Sequence, residues 1–455
     1  MSFRRALGPF DAAMVVIGGI IGAGIFISPY VVAQRVGSAG EVLVAWVAGG
    51  AIATAGALSF AELGSLFPQV GGQYVYLRRA FHPAAGFLYG WALLLMIMSG
   101  GLAAVAITFA EYALRLVGRT GNPLPLALLA IATVSVVNYV GVKPGSRLLN
   151  VFVILKVVAL VGLIGAGLLI PESAIGEGVA GAPSGSTSLL AFGGALIPIL
   201  FSYGGWQNAN YVAEEIREPR RNLPISLIVG TAVVVVVYVG VNYVYLRALG
   251  HGGLAATRTP AADAAAVAFG PMGDRLITVA IAISTFGFLD LSVLAPSRVY
   301  YAMAKDGLFF DAVSRLHPRF RTPVNAIVLQ AVWGMILALT GTYAQLVDTV
   351  VFADWIFFGS TVAAVFVFRR RYPVATRPAG SFVAPGYPIV PLLFVAAAGL
   401  VVISVIASNP VRSSVGALLL ATGVPAYLYW SRRPGSAGPL PAIGTGGPVR
   451  EDAAE

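Results

Sequence analysis

Apolar segments long enough to cross a bilayer recur along the whole chain, separated by short polar stretches. A transmembrane helix needs about 20 predominantly apolar residues, because the hydrocarbon core of a bilayer is about 30 Å thick. Twelve segments approach or exceed that length: 10–36, 40–66, 82–117, 124–141, 148–170, 188–213, 224–248, 272–302, 324–341, 345–368, 387–408 and 411–431. The pattern predicts an all-α membrane protein with twelve transmembrane helices.

Glycines interrupt the first and the sixth of these segments. Four of them lie together in the first segment: Gly18, Gly19, Gly22 and Gly24. The sixth contains the pair Gly204 and Gly205. Glycine disfavours a helix, and in lipid every backbone group that a break frees must find a new partner. Close helix packing through Gly18 and Gly22 is the alternative. Because packing leaves Gly24 and the later pair unexplained, we interpret both segments as helices broken at a ligand site.

The two broken segments occupy corresponding positions if segments one to five and six to ten are repeats. Such a pair is typical of secondary transporters built from inverted repeats, which hold their substrate near the middle of the membrane. We therefore predict a first repeat over 1–170, a second over 171–372 and two further helices over 373–431. Residues 432–455 are rich in proline and glycine and are predicted to form a disordered cytoplasmic tail.

The ends of broken helices have a definite ligand chemistry. A half-helix that begins after Gly24 presents free N–H groups and a positive dipole end, which suit a carboxylate. Half-helices that end near Ile20 and Phe201 present free carbonyls and a negative end, which suit an ammonium group. A zwitterionic α-amino acid satisfies both kinds of helix end at once.

Composition excludes other classes of protein. Of the 455 residues 58% are hydrophobic and 11% charged, with a mean hydropathy of +0.85, which no soluble domain of this length shows. The chain has no cysteine and three scattered histidines, so we expect neither a thiol mechanism nor a metal site. No paired acids or histidine cluster indicate an enzyme, and no cofactor is expected.

The net charge of +10 would suggest a nucleic-acid partner in a soluble chain, but its distribution indicates a membrane protein. Arginine and lysine are concentrated in the loops on the side of the N-terminus. By the positive-inside rule, both termini of this multi-pass protein are predicted to be cytoplasmic, in the plasma (inner) membrane. The bilayer is then its surroundings, and no nucleic acid is expected.

Four motifs in this order resemble those of the amino acid–polyamine–organocation superfamily, and within it the L-type amino-acid transporter branch. They are GIIGAGIF at 19–26, GGQYVYLR at 71–78, FSYGGW at 201–206 with EEIREP at 214–219 and RNLP at 221–224, and SRVYY at 297–301. The resemblance covers the first ten segments. It implies a five-plus-five inverted repeat and sodium-independent, often obligatory exchange of neutral amino acids.

The resemblance also implies roles for individual residues. It assigns the substrate carboxylate to the N–H groups of Gly22, Ala23 and Gly24, and the amine to the carbonyls of Ile20, Phe201 and Gly204. Phe201 resembles the aromatic outer gate. With the neighbours that could touch the substrate, the predicted binding residues are Ile20, Gly22, Ala23, Gly24, Phe201, Gly204, Gly205, Trp206 and Gln207. Relatives with a disulfide-linked heavy subunit use a cysteine for it, so no such partner is expected.

Two ionisable residues lie at membrane depth, where charge is costly and often functional. Lys156 is too deep for its ammonium to reach the interface, roughly 12 Å from the start of its segment at 1.5 Å per residue. The resemblance places a lysine there in the role of the sodium ion of sodium-coupled relatives. Asp290 could pair with Lys156, bind a proton or line a wet cavity. With Ser292, these residues form the predicted coupling group.

Other features have simpler interpretations. The acids Glu62, Glu111 and Asp354 lie nearer segment ends, where solvated or helix-capping positions are favoured. No acid clearly faces the pocket expected for the substrate side chain, so cationic amino acids are disfavoured. The loops 172–186 and 250–270 are rich in Gly, Ala, Ser and Pro and are predicted to be mobile surface connections.

The function predicted from these features is a sodium-independent exchanger of small to medium neutral L-amino acids that works by alternating access. Proton-coupled symport is the alternative mechanism. A membrane sensor that binds an amino acid without moving it is a third hypothesis, although neither terminus is long enough for a soluble signalling domain.

Overall fold

A computed structural model describes residues 3–119, 121–170, 188–340, 343–408 and 410–433. Within these ranges the regular secondary structure is helical, apart from one isolated parallel β-bridge that pairs Leu7 with Ile216. The predicted connection 172–186 and the predicted tail, apart from Arg432 and Arg433, lie outside the described residues.

The helices follow one another in chain order. They are α1 Pro9–Ile20, α2 Gly24–Ala33, α3 Ala39–Leu66, α4 Gln73–Ala80, α5 Pro83–Ala92, α6 Met98–Leu116, α7 Leu124–Val140, α8 Val142–Leu168, α9 Leu189–Tyr203, α10 Asn208–Tyr211, α11 Pro219–Ala256, α12 Pro260–Phe269, α13 Gly273–Leu294, α14 Ser297–Lys305, α15 Val324–Thr340, α16 Tyr343–Arg371, α17 Ile389–Ser408, α18 Pro410–Ala421 and α19 Gly423–Ser431. A π-helical turn, Leu93–Ile97, joins α5 to α6.

In the described chain, eight helices or continuous helical runs are long and apolar enough to cross a membrane. The pair α1 and α2 passes the same test together, with a bend of 43° between its halves. Three shorter apolar helices complete the set: Leu124–Val140, Ala191–Tyr203 and Val324–Thr340. The protein is therefore an all-helical, multi-pass membrane protein.

The broken pair α1 and α2 lies at the centre of the bundle. Helix α1 packs against α8 and α11, whereas α2 packs against α9 and α11. The side chain of Asp11 accepts the N–H of Gly8 at 2.9 Å, which caps α1, and accepts Asn150 Nδ2 of α8 at 2.7 Å. One residue thus starts the first helix and joins it to the helix that carries Lys156.

The connection 250–270, predicted to be mobile, is instead mostly helical. Helix α11 continues to Ala256 through a kink at Gly250, whose φ of 68° suits glycine, and α12 follows. Alanine has the highest helix propensity, and proline fits the first turn of α12. Ala261, Ala264 and Ala265 are buried, because α12 packs on α13. The small residues that suggested a loop are those that allow this close packing.

The solvated or capping interpretation of Glu62 is wrong. This residue of α3 is 1% exposed, and its carboxylate pairs with Arg369 Nη2 at 2.6 Å and with Arg377 Nη1 at 2.8 Å. It also accepts the N–H of Ala384 at 2.8 Å. Glu62 therefore joins α3 to the end of α16 and the segment that follows it.

Replacing Glu62 with glutamine is expected to lower the melting temperature of the purified protein. Glutamine keeps the shape of the side chain but leaves two arginines without their counter-charge, and breaking a buried ion pair costs about 3 kcal/mol or more. Thermal unfolding in detergent measures the effect. Glu111→Gln, at an exposed position on α6, is the matched control. Equal melting temperatures for Glu62→Gln and the wild type would contradict the prediction.

Candidate functional site

Two helix breaks meet at the centre of the molecule. The first lies between Ile20, where α1 ends, and Gly24, where α2 begins, with Ile21 in an extended conformation. The second lies between Tyr203, where α9 ends, and Asn208, where α10 begins. Both interruptions occur at the glycine clusters that the sequence indicates.

The two breaks touch through backbone atoms, and glycine makes the contact sterically feasible. A Cβ on Gly205 would overlap the carbonyl of Gly19, and one on Gly19 would overlap the carbonyl of Gly205. A Cβ on Gly24 would lie 2.6 Å from Ser202 Oγ and 2.9 Å from its Cα. Gly205 also has a φ of 121°, which disfavours any side chain.

Gly22 and Gly204 have a different environment from these three glycines. The nearest atom to a Cβ on Gly22 would be a ring carbon of Phe288, at 3.8 Å. The nearest atom to a Cβ on Gly204 would be the carbonyl oxygen of Phe201 in the preceding turn, at 3.4 Å, and a ring carbon of Phe358 would lie at 3.9 Å. At neither position does the backbone of another segment exclude a side chain. Both glycines line a cavity.

This cavity has a volume of about 390 Å³, within the range of about 300–1,000 Å³ usual for small-molecule sites. The predicted binding residues that line it are Ile20, Gly22, Ala23, Gly24, Phe201, Gly204, Gly205 and Gln207. Trp206 does not line it. That ring is fully buried among Phe60, Phe358 and Phe394, so the structure places it in aromatic packing.

The cavity extends from the breaks towards the end of the bundle opposite the N-terminus. Ile27 of α2 and Thr108 of α6 line it, and both helices run away from the N-terminal side at those points. The ring of Phe201 is 45% exposed and faces the cavity instead of closing it. The site is therefore accessible from that end.

The N-terminal side is closed by buried polar contacts. Arg298 Nε donates to Glu215 Oε1 at 2.7 Å, and both side chains are at most 1% exposed. The extended segment at Leu7 covers this pair, since Leu7 donates to the carbonyl of Glu215 at 3.0 Å and accepts from the N–H of Arg217 at 2.9 Å. Access from the two ends of the bundle is thus unequal.

Backbone groups at the breaks provide donors and acceptors to the cavity. The N–H groups of Ala23 and Gly24 meet no backbone acceptor in the described chain. The carbonyl of Gly204 accepts no hydrogen bond there, and that of Ile20 accepts one, from the Tyr238 hydroxyl at 3.0 Å. Because a carbonyl oxygen has two lone pairs, Ile20 can accept a second donor. The groups suit the two ends of an α-amino acid.

Lys156 lies beside the first break, at the end of α1. Its side chain is 1% exposed, and Nζ donates to the carbonyls of Gly18 at 3.0 Å and Ile21 at 2.6 Å. These carbonyls would otherwise be unpaired at the negative end of a helix dipole. The side chain of Lys156 therefore satisfies both carbonyls and stabilises the broken geometry without lining the cavity.

A family model described as "Amino acid permease" matches residues 7–429, which is most of the chain. The chain belongs to the amino acid permease family. The "Large neutral amino acids transporter small subunit 2" of Mus musculus is 31% identical over 452 aligned residues, covering 95% of this permease and 83% of that protein. The "Serine/threonine exchanger SteT" of Bacillus subtilis is 30% identical over 437 aligned residues, which cover 95% of this permease and 98% of that exchanger. The "b(0,+)-type amino acid transporter 1" of Homo sapiens is 32% identical over 390 aligned residues, which cover 83% of this permease and 78% of that transporter.

In this permease the hydrogen bonds of the three predicted coupling residues go to other partners. Asp290 is fully buried on α13 and accepts Asn138 Nδ2 at 2.7 Å, while its other oxygen has no partner in the described chain. The hydroxyl of Ser292 donates within its own helix, to the carbonyl of Phe288 at 2.8 Å. Asp290 makes no ion pair with Lys156, and neither side chain lines the cavity. The suggested pairing of these two charges is absent from the described residues.

Asp354 is where the sequence interpretation fails most clearly. A solvated or capping position was favoured for it, and no acid was expected to face the substrate side chain. Asp354 lines the same cavity as the two breaks and is partly buried there. The sequence places Asp354 near the start of an apolar segment but does not show that it faces the cavity. Which face of the helix points inward is determined by the packing of the helices.

Sequence reasoning also missed residues that contact the breaks. The hydroxyl of Tyr238 on α11 donates to the carbonyl of Ile20 at the end of α1. Asn208 begins α10, lines the cavity and is 2% exposed, with Nδ2 on the carbonyl of Gly205 at 2.8 Å and Oδ1 unpartnered in the described chain. A polar residue immediately after a glycine break was the available signal for Asn208.

Proposed function

We propose that this permease is a sodium-independent exchanger of small to medium neutral L-amino acids that works by alternating access. The convergence of the two broken helices on one cavity carries the proposal. Unpaired N–H groups of Ala23 and Gly24 receive the carboxylate, and the carbonyls of Ile20, Phe201 and Gly204 receive the ammonium group. The names of the relatives, a neutral amino-acid transporter and a serine/threonine exchanger, support this class of substrate.

The finer architecture belongs to the same proposal. Twelve transmembrane helices form a five-plus-five inverted repeat over 1–170 and 171–372, with two further helices over 373–431. The breaks after α1 and α9 support it, because each falls in the first helix of a repeat. Both termini are cytoplasmic in the plasma membrane, so the cavity is in an outward-facing state.

Sodium independence rests on Lys156. In this protein the end of α1 is already held by an ammonium group hydrogen-bonded to Gly18 and Ile21. A bound sodium ion is therefore not needed to stabilise that helix end. Proton-coupled symport is the alternative, and the unpartnered oxygen of buried Asp290 is the observation in its favour.

The mouse relative is named as a small subunit. This chain has no cysteine, so it forms no disulfide bond with a heavy subunit. We therefore propose that it works without a disulfide-linked partner.

Uptake into liposomes tests the proposal. Purified protein is reconstituted with or without internal amino acid, and entry of labelled neutral amino acids is followed under imposed sodium or proton gradients. Exchange predicts uptake that requires internal substrate and ignores both gradients. Uptake driven by sodium would contradict the proposal, and uptake driven by protons into empty liposomes would replace exchange by symport.

Phe201→Ala is expected to slow transport more than it weakens binding. The ring is exposed to the cavity in the outward-facing state, so closing over substrate is a later step that alanine cannot perform. We expect turnover per folded molecule to fall about tenfold, which corresponds to about 1.4 kcal/mol in the barrier. Counterflow rates and equilibrium binding of one substrate measure the two effects. Wild-type turnover with a lower melting temperature would instead identify Phe201 as a packing residue.

A further inference from the structure

One acid in the cavity has no role in the substrate contacts described above. Asp354, on α16, lines the cavity and makes no hydrogen bond or ion pair within the described chain. Among the described residues, no lysine or arginine lines the cavity. Lys156 does not line the cavity and forms no ion pair with Asp354, since its Nζ donates to the carbonyls of Gly18 and Ile21.

The other polar side chains of the lining already have partners. Ser202 donates to Ser28 at 2.8 Å, and the hydroxyls of Thr108 and Thr285 bond to their own helices at 3.0 and 2.8 Å. The remaining two, at the second break, bond to Gly205: Gln207 through its side-chain oxygen and Asn208 through its amide nitrogen. Among the carboxylate, hydroxyl and amide side chains of the described lining, Asp354 is therefore the one with no hydrogen-bond partner at any atom.

Asp354 lies where the substrate side chain is expected. Phe358, one turn further along α16, stacks on Trp206 with ring centroids 5.3 Å apart, which places this face of α16 beside the second break. The carboxylate and ammonium of an amino acid use the backbone of both breaks. Its side chain then faces the lining that the backbone contacts leave free, which includes Ile97, Phe288 and Asp354.

An ionised carboxylate only accepts hydrogen bonds, and an unpaired charge in a largely apolar cavity is costly. A substrate side chain that ends in a hydrogen-bond donor lowers this cost, and a cationic side chain lowers it most. We propose that Asp354 determines specificity by favouring amino acids whose side chains carry a hydrogen-bond donor, cationic side chains most strongly. This inference rests on the proposed amino-acid transport and extends it beyond neutral substrates.

The experiment compares substrates that differ little in shape but differ in the donor. Lysine is paired with norleucine and threonine with valine, and entry of each is measured in proteoliposomes as a ratio within the pair. Asp354→Asn keeps an acceptor but removes the charge, so the lysine-to-norleucine ratio should fall at least about tenfold and the threonine-to-valine ratio less. Asp354→Leu should lower both ratios. Asp274→Asn, an exposed acid on α13, is the control and should change neither.

The outcomes separate this inference from the proposed function. If wild-type protein transports valine and norleucine but shows the same ratios as Asp354→Asn, the specificity role is overturned while amino-acid transport stands. If the wild type transports none of the four, the proposed function itself fails. A proton gradient that drives valine entry only when Asp354 is present, with unchanged ratios, would make it a proton site and overturn the inference. If a variant does not fold, competition by lysine and norleucine for binding to the wild type decides, and equal affinities would overturn it.

Discussion

Lys156→Ala is expected to lower exchange at least about a hundredfold. The ammonium group of Lys156 donates to two carbonyls at the end of α1, and an unsatisfied buried group costs about 1–3 kcal/mol. Without it, two carbonyls at the negative end of the helix dipole lose their partner, and the break at which we propose that substrate binds loses its support. If leaving both carbonyls unpaired raises the free energy of the conformation that transports, the exchange rate falls by a large factor.

Counterflow in proteoliposomes, normalised to folded protein, measures this effect. Lys143→Ala is the matched control, since Lys143 lies in the first turn of the same helix and is exposed. Sodium is varied with the wild type in parallel, and we expect no change in its rate. Normal exchange by Lys156→Ala would remove Lys156 from the mechanism, and sodium-stimulated exchange by the wild type would contradict its role as a fixed cation.

Gly22→Val is expected to abolish binding and transport without preventing folding. At Gly22 a side chain would point towards Phe288 across the cavity, with the nearest atom 3.8 Å from Cβ, so valine occupies ligand space and not packed backbone. The β-branched side chain also hinders close approach of a carboxylate to the N–H groups of Ala23 and Gly24. Thermal shift with substrate and uptake into liposomes measure the two losses.

Two further glycine variants give this prediction its controls. Gly162→Val, on an exposed face of α8 with nothing within 4 Å of its Cβ, should transport normally. Gly205→Ala should instead lower folded yield, because its Cβ would overlap the carbonyl of Gly19. Substrate-dependent stabilisation of Gly22→Val equal to that of the wild type would mean that the ligand does not approach this backbone.

The sequence alone was sufficient to predict the two helix breaks and the depth of Lys156. Both are local properties: glycines crowded within an apolar segment cannot be satisfied as an ordinary helix, and a lysine far from either end of a segment cannot reach water. The family could be recognised for the same reason, since its motifs surround those breaks. The N–H donors and carbonyl acceptors follow from helix polarity without any tertiary information.

Side-chain direction could be decided only by the tertiary structure. In a membrane, apolar residues face both lipid and neighbouring helices, so hydrophobic periodicity does not identify the inner face of a helix. That is why the sequence favours a solvated or capping position for Asp354 although it lines the cavity, and a substrate contact for Trp206 although it packs among aromatic rings.

Contacts between distant residues were equally inaccessible from the sequence. Glu62 meets Arg369 and Arg377, more than 300 residues away, and Tyr238 meets the carbonyl of Ile20. No local pattern marks such partners, because the free energy of burying a charge or a hydroxyl depends on what the fold brings beside it. The sequence determined where the helices break and that Lys156 and Asp290 lie at membrane depth, whereas the packing of the helices determined that Glu62 is buried and what each of these charges faces.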